Sequence, residues 1–262
     1  MRIILVRWCI INTSFKLLIK NFEDIKKLDW IKVPPCGYGE NGLLFEELLG
    51  IKRNGFAMSD FDDIEIKVQS KYSKYPITLF SLTLDGPEPM ALQSFVSRYG
   101  AYDDQYTNSK VLYITLNAQN YTFWGRTLKM RLFFDKRKQR LYIHVVHSNG
   151  KTIELKTYWE LSSLYAALVR KVDKLCIIIN ETKYLNSLKY IKYIDINFFI
   201  LKSFDDFINS LCDGTVSVKI KYGVYKKGPL AGSPYNHGIA FQVTYSNLEK
   251  IFNKIYFKKN ST

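Results

Sequence analysis

A chain of 262 residues with 47% apolar content can bury a full core, either as one large domain or as two lobes. Its net charge of +14 and pI near 9.4 favour a polyanionic partner, nucleic acid before a membrane surface. No run of about 18 apolar residues occurs, so no membrane-spanning helix is expected. Cys9, Cys36, Cys176 and Cys212 show no C-x-x-C spacing and read as reduced thiols of an intracellular protein. Arg7 interrupts the apolar start and no small-residue cleavage site follows, so no signal peptide is expected.

Helical periodicity covers residues 15–31 and stops near Pro34 and Pro35. A glycine-rich turn, Gly37 to Gly42, opens a short helix over Leu43 to Leu49 that Gly50 ends. Strands are predicted at Asp63 to Gln69, Ile77 to Leu84, Val111 to Leu116, Leu128 to Phe134, Leu141 to His147 and Thr152 to Leu155. A helix is predicted from Tyr158 to Val172 and a short strand from Leu175 to Ile179. A helix at Phe204 to Leu211, strands at Val216 to Tyr222 and Ile239 to Thr244, and a closing helix at Asn247 to Phe257 complete the chain. The expected fold is α/β (α+β), a central mixed sheet flanked by helices. A soft boundary near 185–210 divides a catalytic lobe, 1–195, from a recognition lobe, 196–262.

The most informative segment is Asp60, Asp62 and Asp63 followed by Ile64-Glu65-Ile66-Lys67-Val68. In an extended strand Glu65 and Lys67 share one face while Ile64, Ile66 and Val68 share the other. One face then serves chemistry and the other packing. An acid ahead of an E-x-K triplet is the pattern of a PD-(D/E)xK nuclease centre, where carboxylates hold a metal beside a cation. By strand phase Asp63 shares the face of Glu65, which leaves the choice of acid open.

Competing motifs are weaker. Gly37-Tyr38-Gly39-Glu40-Asn41-Gly42 fits G-x-G-x-x-G, but Val33-Pro34-Pro35-Cys36 precedes it where a nucleotide-binding unit needs a strand. Glu154-Leu155-Lys156 is a second E-x-K without an acidic cluster and reads as a solvent-facing charge pair. His144, His147 and His237 are too scattered for a metal site. From Thr215 onward, eight lysines face one acid, so the C-terminal part is strongly basic.

The ordered set Trp30-Ile31, Gly37-x-Gly39, Leu44-Phe45-Glu46-Glu47-Leu48-Leu49-Gly50-Ile51, Asp60-x-x-x-x-Glu65-Ile66-Lys67 and Thr78-Leu79-Phe80 resembles the MvaI/BcnI family of restriction endonucleases. It is also similar, more distantly, to MutH-like mismatch-repair nicking enzymes. The likeness continues through Trp159, Leu164, Lys171, Leu175, Gly214-Thr215-Val216, Asn236-His237-Gly238 and Phe241.

The resemblance implies two lobes around a DNA cleft, with Asp60 and Glu65 as carboxylates for Mg²⁺. It implies that Lys67 positions the attacking water and that Glu46 completes the acidic site. Base reading then falls to Lys219, Lys221, Asn236, His237 and Gln242. Asn236 and Gln242 replace an acid and an arginine that suit C/G-rich sites, so a target richer in A·T is expected. Lys71, Lys74, Lys226 and Lys227 are placed to neutralise phosphates of double-stranded DNA. The implied activity is that of a monomeric, Mg²⁺-dependent type II restriction endonuclease in the bacterial cytoplasm. The alternatives are a MutH-like nickase and a non-catalytic DNA-binding protein.

Overall fold

The structure, a computed structural model, describes residues 2–34, 40–51 and 60–257, with side chains described from residue 13 onward. In chain order it forms α1 (Arg2–Lys26), β1 (Ile31–Lys32), α2 (Glu40–Leu48), β2 (Glu65–Ser70), β3 (Ile77–Ser81), α3 (Ala91–Tyr99), β4 (Ala101–Tyr102), β5 (Lys110–Leu116) and β6 (Thr122–Trp124). There follow β7 (Leu128–Asp135), β8 (Arg140–His147), β9 (Thr152–Glu154), β10 (Tyr158–Glu160), α4 (Leu161–Val172), β11 (Lys174–Leu185) and β12 (Leu188–Leu201). The last elements are α5 (Phe204–Cys212), β13 (Ser217–Val224), β14 (Pro234–Val243), α6 (Leu248–Ile251) and β15 (Phe252–Ile255). This is the mixed α+β class expected.

Two compact units are interleaved along the chain: 1–75, 170–202 and 252–262 form the first, and 76–169 with 203–251 form the second. The first holds a sheet of order β1-β12-β11-β2, with β15 also paired to β12. Among the described residues only β2 and β11 run parallel, Leu175 opposite Glu65 and Ile177 opposite Lys67. Phe15, Leu18, Phe22 and Ile25 recur at helical spacing along α1 and bury their face against Ile64, Ile66, Cys176 and Ile178. Leu44 and Phe45 of α2 join the same core. Strand alternation therefore turns Glu65 and Lys67 away from these helices.

The second unit contains a sheet of order β3-β14-β13-β5-β4 and another of order β10-β8-β7-β6, with β9 beside β8. Its core gathers Phe80, Trp159, Phe207 and Phe241, with Phe80 stacked on Phe241 at 4.7 Å and Trp159 edge-on to Phe241 at 5.6 Å. Truncating a fully buried ring of this kind costs about 3–5 kcal/mol.

Several expectations are corrected. The division at 195/196 falls inside β12, because that strand pairs with β11 along nearly its whole length. Tyr158–Glu160 is a strand, not the start of a helix, because it completes the edge beside β8. The closing helix is cut to Leu248–Ile251, since Phe252–Ile255 finds backbone partners on β12. The turn expected at Gly37 to Gly42 lies partly outside the described residues. Gly50 has φ +73°, the left-handed conformation of a helix-ending glycine. Among the described residues no helix is long and apolar enough to cross a membrane.

Candidate active site

Asp60 is placed by a tight turn in which Phe61 and Ile64 exchange backbone hydrogen bonds of 3.0 and 2.8 Å. Asp62 occupies the turn at φ +51°. Its Oδ2 accepts a 3.0 Å hydrogen bond from Ser14 Oγ of α1, which pins the turn to the core helix. The turn sends Asp60 back onto β2, where its Oδ2 accepts from the Ile66 amide at 2.9 Å. Asp63 is half exposed and pairs with Lys174. Of the three aspartates, Asp60 is thus the one held beside Glu65.

Glu65 is buried, 1% exposed. Lys67 Nζ donates to its Oε1. Lys171 Nζ, in the last turn of α4, lies 2.7 Å from Oε2 and 3.9 Å from Asp60 Oδ1. Burial pushes the Glu65 carboxyl above its ordinary range; Lys67 opposes the shift, Asp60 adds to it, and Lys171 also opposes it.

Among the described residues, two carboxylates and two ammonium groups therefore converge at the start of β2. Among the described residues no cluster of three or more His, Cys, Asp or Glu side chains is arranged to hold a metal. Two carboxylates suit Mg²⁺ nonetheless, which keeps water and substrate oxygens as most of its ligands. Asp60 and Glu65 present their carboxylates to one another's side of β2 with Lys171 beside both, a hard-oxygen donor set of the kind such a cation takes. Glu46 is half-buried on α2, which packs on β2.

The rival triplet is resolved differently from the expectation. Glu154 is buried, not solvent-facing: Tyr99 Oη donates to it at 2.7 Å, Thr157 donates as well, and Arg98 pairs with it at 3.2 Å. Its hydrogen bonds make it a core strut. His144 accepts or donates to Tyr121 Oη and Thr152 Oγ1, an ordinary strand histidine.

The candidate DNA-contacting residues fall into three groups, with Gln242 apart from them. Lys219 and Lys221 lie on one face of β13, whose register puts Thr115 and Tyr113 of β5 beside them. Val218, Ile220 and Tyr222 fill the other, buried face. Asn236 and His237 are exposed on β14, with Asn236 Oδ1 accepting from the Gly238 amide at 2.8 Å and the His237 ring 3.6 Å from Tyr235. Lys74 and Lys227 are exposed, whereas Lys71 pairs with Glu181 at 2.7 Å and Lys226 with Asp103. Gln242 departs from the expectation: it is 8% exposed and donates to Thr78 Oγ1 at 3.1 Å. Its amide is committed within the sheet.

Among the described residues, Lys171 is the one group at the centre to which sequence reasoning gives no role. It stands among the residues of the resemblance, and the signal was its place in the last turn of a helix that runs straight into the apolar strand β11.

Comparison with known proteins bears on the fold and the family. The structure of the restriction endonuclease MvaI–cognate DNA substrate complex superposes with a TM-score of 0.85 at 26% identity, covering 92% of this chain and 96% of that one. MvaI in the absence of DNA shares the fold, with a TM-score of 0.60 at 22% identity over the same 92% and 96%. No sequence among the curated proteins matches this chain. Residues 19–252 match the MvaI/BcnI restriction endonuclease family, and the chain belongs to it.

Proposed function

We propose that the chain is a type II restriction endonuclease that cuts double-stranded DNA at a short specific sequence, acting as a monomer with Mg²⁺. The observation that carries this reading is the convergence of Asp60, Glu65, Lys67 and Lys171 within one small volume at the edge of a buried sheet. Asp60 and Glu65 would hold the Mg²⁺. The cation would supply positive charge that activates water and stabilises the phosphate as charge develops on it.

The protein side of the reaction follows from the contacts. Burial keeps Glu65 in one geometry, and the Ile66 amide does the same for Asp60. Lys67, held on Glu65 Oε1, presents its remaining donors to the attacking water and to a phosphate oxygen. Lys171 offsets the two carboxylates from the other side and favours the ionised form of Glu65. Hydrolysis is then a direct in-line displacement without a covalent enzyme intermediate. Glu46 completes the acidic site from α2.

Sequence recognition is assigned to β13, β14 and the loop between them. Lys219 and Lys221 contact phosphates or guanine edges, and Asn236 and His237 read bases. With Gln242 turned inward, the preference for A·T pairs rests on Asn236. Lys71, Lys74, Lys226 and Lys227 supply phosphate contacts that orient the duplex.

The MutH-like alternative differs in needing partner proteins. Purified chain incubated with closed-circular duplex and Mg²⁺ separates the two. Accumulation of nicked circles that convert to linear DNA is expected; an intact circle that is cut only when other proteins are added would favour the nickase.

A further inference from the structure

Segment 121–160 carries nine Lys and Arg against three acids, yet none of the catalytic or recognition assignments uses it. The segment builds the β10-β8-β7-β6 sheet with β9. Its inner face is Met130, Leu132, Ile143, Val145 and Trp159, all buried. The register puts the opposite side chains together: Phe123 beside Lys129, Arg131 beside His144, and Phe133, Tyr142 and Tyr158 in one row.

On that outer face each cation lies over a ring. Lys129 sits 5.3 Å from the Phe123 centroid, Arg131 4.8 Å from Tyr121, Lys138 5.9 Å from Tyr142 and Arg140 3.9 Å from Tyr158. Arg140 is matched by Glu160 at 2.8 Å. Lys129, Arg131 and Lys138 make no ion pair among the described residues, and Arg131 Nε is buried without an acceptor. Rings under cations restrict side-chain motion, so less entropy is lost when an anion binds. Lys129 and Arg131 are two residues apart on one strand, about 7 Å. Such a row of oriented, unneutralised cations is complementary to a repeating anion.

We propose that this outer sheet face is a second DNA-contacting surface, in which Lys129, Arg131 and Lys138 hold backbone phosphates of duplex outside the recognised sequence. The proposal rests on the reading of duplex DNA as substrate. It adds sequence-independent affinity to a chain whose specificity lies elsewhere.

The test is metal-free binding of the full chain to a random-sequence duplex of about 30 base pairs between about 50 and 200 mM NaCl. Removing three phosphate contacts in the K129A/R131A/K138A variant should lower the log K against log salt slope by about 2.7 and weaken binding at least ~10-fold at low salt. The charge-conserving K129R/R131K/K138R variant should retain the wild-type slope. Should the triple alanine variant fail to fold, K129A and K138A singly should each lower the slope by about 0.9. Unchanged slopes in the alanine variants would overturn the proposal. Cleavage is scored separately with Mg²⁺. A wild-type chain that binds but never cuts refutes the nuclease reading and leaves the face standing, and one that does not bind duplex overturns both.

Discussion

Lys171 Nζ lies 2.7 Å from Glu65 Oε2 while Lys67 binds Oε1 of the same carboxylate. One buried acid is thus held between two cations from different elements, α4 and β2. Each cation lowers the cost of keeping Glu65 charged inside the protein.

If Lys171 keeps Glu65 ionised, Lys171→Met should reduce kcat by about 10- to 100-fold, a loss of ~1.4–2.7 kcal/mol in barrier lowering. It should also move the acid limb of the pH–rate profile to higher pH, because a cation that lowers the Glu65 pKa is gone. Lys171→Arg should restore part of both. A kcat loss with an unshifted profile would mean that Lys171 acts only on the fold.

The three aspartates should separate cleanly in single-turnover cleavage. Asp60→Asn should lose about 10³-fold or more, as expected when a charge stabilising the transition state is removed. Asp63→Asn, which alters only a pair with Lys174, should stay near wild type in rate. Asp62→Ala should instead destabilise the chain by about 1–3 kcal/mol, read as a lower Tm, because Ser14 Oγ loses its acceptor.

The raised Glu65 pKa has a defined sign. Its ordinary value is 4.5 and burial lifts it in the folded chain. Stability from this group is therefore fully present below about pH 4.5 and lost as pH rises through the folded value. Metal-free Glu65→Gln should accordingly melt higher than wild type at neutral pH and at the same temperature in acid. Mg²⁺ competes with the Glu65 proton, so metal affinity by calorimetry should fall on acidification before that of an exposed carboxylate would.

Tyr113 lies across Gly223 on the open face beside Lys221. A methyl group at position 223 would come 1.8 Å from Tyr113 Oη. Gly223→Ala should displace the ring, destabilise the chain by about 1–3 kcal/mol and weaken duplex binding, whereas Tyr113→Phe should leave the melting temperature nearly unchanged. Calorimetric melting with a binding assay checks both.

Strand alternation made the polarity of β2 legible: Ile64 and Ile66 had to face a core, which left Glu65 and Lys67 together. Alternation alone could not choose among the aspartates, because Asp63 has the right phase for the face but is drawn to Lys174. Asp60 reaches the site through a reversing turn, and turns break the period that pattern reasoning relies on. The role of Lys171 was hidden for a related reason: its partner is 106 positions away, brought near by the parallel pairing of β2 and β11. The length of β12 was hidden because Lys189, Lys192 and Asp195 interrupt its apolar run, although backbone pairing with β11 carries it through. Gln242 shows the opposite failure. Its amide suits adenine by chemistry, but the register of β14 on β3 sets it against Thr78.

The most direct measurement of the central claim is digestion of unmethylated phage DNA with Mg²⁺ by wild type and by Glu65→Gln, followed by sequencing of every fragment end. Wild type should give ends at one recurring short sequence, and the variant should give none while still binding duplex without metal. Scattered ends, or equal cutting by the variant, would contradict a sequence-specific nuclease centred on Glu65.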